Sequence, residues 1–262
     1  SYKFTPDVSV YATYAEGWKA GGVDRYPGRT DDLVYNDENS RNYEIGLKSV
    51  LLDRRLTLNA ATYHIDIENQ QLNNVIPDPR GGPVPITVIQ DAAKSHVNGF
   101  EAEATFRPIR DLRFNGSVSY SDGVFDDFVR TFSATDSFDM SGTPFENVPK
   151  LTAYGSVLYS HDLPDGRRID LFGEYSYIGK IIFQDNTRKS KAHDQLTTPA
   201  YDRINVSAAL TLHSGLRFTL YVNNLLDSFD YTYASSDPFL GGDVFVVPLA
   251  PRQIGLRVSK TF

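Results

Sequence analysis

The sequence predicts an all-β fold in which antiparallel strands form part of the wall of a transmembrane barrel. Three observations predict this: many segments alternate between apolar and polar side chains, short and long connections alternate along the chain, and the chain ends on an aromatic residue, Phe262. Because successive side chains of a strand point to opposite faces, alternation gives each strand one face for hydrocarbon and one for water. Outer-membrane barrels have this pattern, with short periplasmic turns and long extracellular loops.

The composition fits strands rather than helices as the membrane-crossing elements. Mean hydropathy is −0.35, and no apolar run approaches the roughly 18 to 20 residues that a spanning helix needs. The 16 Tyr and 16 Phe residues fit aromatic girdles at the membrane boundaries. The absence of cysteine excludes disulfides and thiolate metal sites. A net charge of −7 argues against a nucleic-acid partner.

Alternation predicts ten strands, whose order along the chain is 7–16, 40–52, 55–73, 86–107, 112–128, 148–162, 167–184, 201–213, 216–236 and 248–262. Tight turns with turn-forming residues are predicted at 52–55, 108–111, 163–167 and 213–215. Long polar loops are predicted at 17–39, 74–85, 129–147, 185–200 and 237–247. Counted back from the C-terminus, every tight turn lies on one side of the wall and every long loop lies on the other.

Individual strands show the two faces. The apolar face of three strands is formed by Leu112, Phe114, Val118, Tyr120, Ile204, Val206, Ala208, Leu210, Leu216, Phe218, Leu220 and Val222. Arg, Asn, Ser and Thr dominate the opposite face of these strands. The strand at 55–73 changes phase between Ala60 and Tyr63, which predicts a bulge near Ala61 or Thr62. In the last strand only Lys260 departs from the apolar face, and at the membrane edge its amine reaches water at little cost.

Several segments together resemble the C-terminal barrel portion of a TonB-dependent outer-membrane receptor. They are VYATYAEGWKAGG at 10–22, NYEIGLK at 42–48, VNGFEAEA at 97–104, VNNLLD at 222–227, PRQIGLR at 251–257 and the terminal Phe262. In this order and spacing they cover nearly the whole chain. The Asn and Asp residues of the 222–227 segment interrupt the alternation, so a backbone bend is the prediction there.

The resemblance implies that residues 1–262 are the C-terminal portion of a barrel of the 22-stranded type. Roughly twelve strands, the plug domain and the TonB box are then expected upstream of Ser1, where neither an initiating Met nor a signal peptide occurs. The implied function is active uptake of a scarce, large nutrient across the outer membrane of a Gram-negative bacterium. A ferric siderophore is the leading substrate; haem, cobalamin and glycans stay open.

The resemblance also implies partners. These are the TonB–ExbB–ExbD energy-transducing complex, the plug domain of the same protein, outer-membrane lipid, the barrel-assembly machinery and the small-molecule substrate. No nucleic acid, cofactor, metal site or catalytic residue is expected. Glu101 and Glu103 share a face and are expected in the lumen, since a carboxylate facing lipid is too costly. Their expected partners are lumen arginines such as Arg113, or the plug.

Candidate substrate contacts are aromatic and cationic residues of the long loops, namely Trp18, Lys19, Tyr26, Arg29, Tyr233 and Phe239. For Trp18 the alternative is an anchor at the outer membrane boundary, where Trp and Tyr concentrate. The same two interpretations hold for Tyr233, Phe239 and Phe245. Phe262 is expected to serve as the C-terminal signature of membrane insertion.

Three other protein classes stay open at this stage. A small outer-membrane enzyme barrel, of protease or lipase type, requires a His near a nucleophile or a carboxylate pair. The chain offers only His64, His96, His161, His193 and His213, of which His64 and His96 lie in neighbouring strands. A passive porin and a soluble sugar-binding β-protein are the other two classes.

Overall fold

A computed structural model describes residues 1–24, 33–76, 78, 81–82, 86–131, 137–184, 196–236 and 244–260. The strands, numbered in chain order, are β1 Tyr2–Thr5, β2 Val8–Lys19, β3 Gly22–Asp24, β4 Leu33–Tyr35, β5 Glu38–Leu51, β6 Leu56–Ile76, β7 Ile86–Ile109, β8 Leu112–Asp127, β9 Val129–Thr131, β10 Ser137–Asp139, β11 Leu151–Asp162, β12 Arg168–Ile178, β13 Ile181–Gln184, β14 Leu196–Thr198, β15 Tyr201–Thr211, β16 Leu216–Asn223, β17 Tyr231–Ser236, β18 Val244–Pro248 and β19 Gln253–Lys260. No helix of membrane-spanning length and hydropathy occurs in the described part of the chain.

Eleven strands form one antiparallel sheet in the order β1-β2-β5-β6-β7-β8-β11-β12-β15-β16-β19. Each strand pairs with the next one of this order, so the sheet is a continuous meander. β1 and β19 are its two edges, and the sheet does not close on itself within this chain. The ten predicted strands all correspond to strands of this wall, which confirms the antiparallel barrel-wall prediction.

The differences from the predicted elements lie mainly at the outer ends of the strands. Four short hairpins, β3–β4, β9–β10, β13–β14 and β17–β18, extend from segments that the sequence analysis assigned largely to loops. The predicted strand 216–236 is wrong in extent, because β16 ends at Asn223 and β17 begins at Tyr231. The predicted strand 167–184 likewise divides into β12 and β13, and β1 was not predicted. Strands of three to six residues are too short to show a period.

The predicted bulge at Ala61 or Thr62 is wrong. The β5–β6 ladder runs without a break from Asn39 to Leu51 of β5, and β6 pairs β7 regularly from Leu56 to Ile67. Register shifts occur instead between Ile67 and Leu72, where Asn69 has a φ of 55°. The change of phase has another cause. In the part of β6 that follows Ala61, the outward-facing residues are polar and the apolar residues face inward.

The direction of curvature follows from a hollow of about 600 Å³ on one face of the sheet. Side chains from strands as far apart as β2 and β12 line it, among them Tyr11, Glu101, Glu103, Ser119 and Ser176. Residues six strands apart share one hollow only if the sheet curls around them. This face is therefore concave, and the apolar face of the wall is convex. The lumen prediction for Glu101 and Glu103 is confirmed.

On the concave face, tyrosine rings lie over glycines directly opposite in the neighbouring strand. The pairs are Tyr11 with Gly46, Tyr63 with Gly99, and Tyr221 with Gly255. A Cβ built on any of these glycines would overlap ring atoms of its tyrosine. The glycines thus create the space in which the rings pack flat on the wall, which is a close-packed arrangement that tolerates little added volume.

Candidate functional site

The concave face carries a network of hydrogen bonds between polar side chains of neighbouring strands. Asn59 donates to Glu103 at 2.8 Å and Ser119 donates to Glu101 at 3.4 Å. Two strands further along, Glu174 accepts hydrogen bonds from Asn205 at 2.8 Å and from the Tyr154 hydroxyl at 3.0 Å. These bonds hold carboxylates in fixed positions on a surface that is still open to water.

The expected pairing of Glu101 or Glu103 with Arg113 is wrong. Glu103 lies opposite Ser117 in the β7–β8 ladder, and Arg113 is four residues further along β8. Four residues of a strand span about 13 Å, which is beyond the reach of an ion pair. The Nε atom of Arg113 is buried and has no hydrogen-bond partner among the described residues.

A second polar cluster lies near the turns, around the buried carboxylate of Asp170. It accepts hydrogen bonds from the Ser160 hydroxyl at 2.6 Å and from Arg168 at 3.0 Å, and it also pairs with Arg217. Three donors from strands β11, β12 and β16 therefore converge on one carboxylate. Arg217 also donates to the hydroxyl of Thr211 on β15 at 3.0 Å, so the cluster connects four adjacent strands.

At the opposite end of the wall, two small hydrophobic cores lie inside the outer hairpins. One consists of the buried side chains Ala93, Phe125, Phe128 and Met140, against which Leu72, Phe138 and Phe145 pack. The other contains Ile181, Phe183 and Ala234, with Ile178, Leu196 and Tyr231 around them. The second core joins the β13–β14 hairpin to the β17–β18 hairpin. Buried apolar side chains of this kind give a loop a defined shape.

An ion pair fixes the first of these cores to the following segment. Arg130 donates two hydrogen bonds to the carboxylate of Glu146, at 3.1 and 3.3 Å. Its guanidinium also lies 5.5 Å from the ring centre of Phe128. Both charged side chains are largely shielded from water, and bidentate geometry makes such a pair stronger and more directional than a single contact.

The comparisons with known proteins agree with this architecture. A family model described as TonB dependent receptor-like, beta-barrel, matches residues 1–225. The chain belongs to this family of TonB-dependent receptors. Its fold is accordingly the wall of an outer-membrane barrel of a Gram-negative bacterium, with the short turns periplasmic and the hairpins extracellular.

The relatives are receptors of the same family. The metal-pseudopaline receptor CntO of Pseudomonas aeruginosa is 24% identical over the whole chain, which spans 32% of that protein. The pesticin receptor of Yersinia pestis is 28% identical over 88% of this chain and 31% of its own length. The crystal structure of the ferric yersiniabactin uptake receptor FyuA from Yersinia pestis matches 98% of this chain and 35% of its own, with a TM-score of 0.76 and 22% identity. This chain therefore spans about a third of the length of these relatives.

The predicted substrate contacts lie at different places in this TonB-dependent receptor wall. Trp18 is on the convex face near the outer end of β2 and is 72% exposed, which favours the anchor at the membrane boundary. Lys19, the next residue, shares the concave face with Tyr11. Tyr233 is exposed on β17, with its ring 5.9 Å from that of Phe183 in an edge-on contact. Substrate contact stays a prediction for all three residues.

The remaining candidates, Tyr26, Arg29, Phe239 and Phe262, lie outside the described residues. Phe245, for which the sequence left the same two interpretations, is exposed on β18. The sequence analysis missed Phe128, Phe183 and the Arg130–Glu146 pair. Their only sequence signal is the density of aromatic residues in segments assigned to loops, since the hairpin strands around them are too short to alternate visibly.

The predicted bend in the VNNLLD segment is confirmed. Asn224 is buried, has a φ of 53° and donates from its amide nitrogen to the carbonyl of Ser228 at 2.9 Å. Its side-chain oxygen accepts from the Ser228 backbone N–H at 3.1 Å. Asp227 accepts from the backbone N–H of Arg252 at 3.0 Å, so the bend also positions the start of the last strand. This is a structural role for both residues.

The two histidines of neighbouring strands lie close to each other. The rings of His64 and His96 are stacked with centres 5.8 Å apart, and they lie on the convex face beyond the apolar band. His64 bonds Asn98 at 2.8 Å, and His96 bonds Asp126 at 2.7 Å. Within the described ranges, no group of three or more His, Asp or Glu side chains has a metal-binding arrangement.

Proposed function

We propose that this chain forms the C-terminal part of the barrel of a receptor that imports a metal chelate of the siderophore class. The observation that carries the proposal is the similarity of 88% to 100% of the chain to relatives whose names specify metal-pseudopaline, pesticin and siderophore receptors. Family membership supplies the dependence on TonB. The substrate class is inferred from these relatives, and ferric siderophores are favoured over haem, cobalamin and glycans.

The two ends of the wall are suited to different roles, namely ligand capture and contact with the plug domain. The extracellular hairpins have buried cores and an ion pair that hold their shape, so their surfaces are suited to capture a ligand from solution. Below them, fixed carboxylates such as Glu101, Glu103 and Glu174 present acceptors to the lumen. We infer that these carboxylates contact the plug domain, which the part of the receptor beyond this chain would supply.

Energy would reach the receptor through the TonB–ExbB–ExbD complex, acting on the upstream region rather than on this chain. The barrel-assembly machinery would insert the wall, with Phe262 as its C-terminal signature. In this proposal the chain binds and positions, and it catalyses no reaction. The relatives of this chain are transport receptors, which supports a transport role over an enzyme barrel.

The test uses a strain in which the gene for the full-length receptor is deleted. Growth is measured with one nutrient limiting at a time: iron for ferric siderophores and haem, cobalamin in a strain that requires it, and carbon for glycans. We expect the deletion strain to lose growth on one ferric siderophore, and a strain lacking TonB to lose it as well. Complementation by the wild-type gene should restore growth only where TonB is present.

Two results would overturn the proposal. Uptake that survives loss of TonB, together with steady ion conductance of the purified protein in a planar bilayer, would indicate a passive porin. Loss of growth on haem, cobalamin or a glycan alone would refute the siderophore assignment and leave the receptor class intact.

A further inference from the structure

Four arginines crowd two neighbouring turns at the periplasmic end of the wall. Arg54 and Arg55 lie in the β5–β6 turn, and Arg107 and Arg110 lie at the β7–β8 turn. The backbone N–H of Arg107 donates to the carbonyl of Arg55 at 2.7 Å, and the Arg55 guanidinium donates to the carbonyl of Pro108 at 3.2 Å. The two turns are therefore joined, and all four arginines are exposed; these two joined turns are here called the arginine turns.

These charges have no carboxylate partner in the part of the chain that the structure describes. Among the described residues, none of the four arginines forms an ion pair, although other arginines of the chain do. The acidic residues of the arginine turns are Asp53 and Asp111, and Asp111 already bonds His161 at 2.7 Å. The patch is thus locally positive on a chain whose net charge is −7.

The next periplasmic turn along the sheet provides a contrast. Between β11 and β12, Arg167 pairs with Asp165 at 2.5 Å, and Arg168 pairs with Asp170 at 3.0 Å. The Arg167 side chain, which donates to Asp165, holds the pKa of that carboxyl below its ordinary value. Arginines in this turn have carboxylate partners, whereas those of the arginine turns have none among the described residues.

The arginine turns also expose apolar side chains. Leu52 is 60% exposed and Ile109 is 58% exposed. Ile109 directly precedes Arg110, and the backbone N–H of Arg55 donates to the carbonyl of Leu52 at 3.1 Å. The convex apolar face reaches down to the same place, since Leu56 and Phe106 pair at the start of β6. Because that face lies against hydrocarbon, these turns stand at the level of the headgroups of the periplasmic leaflet.

The backbone geometry of the β5–β6 turn also indicates a role for its side chains. Leu52, Asp53 and Arg54 have φ values of 55°, 53° and 65°, a left-handed region that costs free energy for residues with a side chain. Two other periplasmic turns place Gly166 and Gly215 in this region, at 77° and 78°. Glycine would relieve the strain in the β5–β6 turn as well. The turn instead presents a leucine and an arginine, which indicates a use for those side chains.

We propose that the arginine turns bind the phosphate-bearing headgroup of an anionic phospholipid in the periplasmic leaflet. Guanidinium groups match phosphate oxygens with paired, directional hydrogen bonds, and Leu52 and Ile109 would lie along the glycerol and upper acyl region. The inference rests on the proposed function only for the orientation of the wall in the outer membrane. It assigns the periplasmic turns a lipid-binding role in addition to joining strands.

The test measures lipid affinity by native mass spectrometry of the purified full-length receptor, titrated with phosphatidylglycerol or with phosphatidylcholine of the same acyl chains. Each cation near an anionic lipid surface strengthens binding about fivefold. Arg54→Gln and Arg110→Gln should therefore each weaken phosphatidylglycerol binding about fivefold, and the double variant about twenty-fivefold. The matched control is Arg167→Gln, which removes one arginine of the neighbouring periplasmic turn and should leave the affinity unchanged. Phosphatidylcholine should bind weakly and equally to all variants.

Folding is checked in parallel by heat-modifiable electrophoretic mobility, so a variant that fails to fold is recognised, and Asp53→Asn then serves as a second variant expected to strengthen binding. The proposal is overturned if both single variants bind phosphatidylglycerol within twofold of wild type, or if Arg167→Gln loses as much affinity as they do. Lipid binding requires no transported substrate. A negative lipid titration would therefore leave the proposed uptake function standing, and a negative growth test would leave the lipid titration interpretable.

Discussion

The convex and concave faces of the wall are built from the same strands, yet their side chains follow opposite rules. On the convex face, Leu220 and Leu256 lie opposite each other and are 54% and 66% exposed. One residue away, the concave face pairs Thr219 with Arg257. In a water-soluble protein such large exposed apolar side chains would mark a docking surface. Here the hydrocarbon of the membrane is the solvent of the convex face.

This contrast predicts that a charge has very different costs on the two faces. Leu220→Arg should destabilise the full-length receptor by about 2–4 kcal/mol in lipid vesicles, because it places a guanidinium in hydrocarbon. Thr219→Arg is the matched control on the concave side, where the new charge faces the lumen, and it should cost much less. Urea unfolding in vesicles measures both variants. Equal costs would contradict the assignment of the faces.

Packing on the two faces differs in a way that glycine substitutions reveal. Gly99 on the concave face lies under the ring of Tyr63, whereas Gly155 on the convex face has no atom near its missing Cβ. Gly99→Ala should therefore cost about 1–3 kcal/mol through overpacking. Gly155→Ala should be neutral or slightly stabilising, because alanine reduces the freedom of the unfolded chain. If both changes proved neutral in the same unfolding measurement, the ring-on-glycine packing would not stabilise the wall.

The smallest expected effect on stability comes from the lumen network. Glu103→Gln keeps the shape of the side chain and its acceptor oxygen for Asn59, and the pair is exposed to water. We expect a change in unfolding free energy below about 1 kcal/mol. A lowered rate of siderophore uptake with unchanged stability would support contact with the plug. Loss of stability well above that limit would show that the network holds the wall together.

The sequence predicted the wall well because each strand has one face toward hydrocarbon and one toward water. The polarity of each residue therefore indicates the face on which it lies. Segments 203–212 and 216–222 alternate at every position except Ala209, and they correspond to β15 and β16. The outer hairpins do not show this alternation, because strands such as β9 and β14 have only three residues each. Their stability comes from the hydrophobic cores around Phe128 and Phe183. Such cores depend on contacts distant in sequence, so local patterning could not reveal them.

The errors have equally physical reasons. The change of phase on β6 marked the level at which the outward face becomes polar, at His64 and Asp66, rather than a bulge. The Arg113 pairing failed because sharing a face does not bring two residues to the same height in the ladder. Asn224 was correctly expected at a bend, since its short amide side chain bonds the local backbone.

The most direct test of the two-faced wall is a nitroxide scan along β16 in the full-length receptor in lipid vesicles. This chain contains no cysteine, so single cysteines at positions 216–223 can carry the labels, after replacement of any cysteine elsewhere in the receptor. Collision with lipid-dissolved oxygen should be high at Leu216, Phe218, Leu220 and Val222 and low at the residues between them. Low oxygen collision at all eight positions, or the opposite phase, would contradict a convex face in contact with lipid.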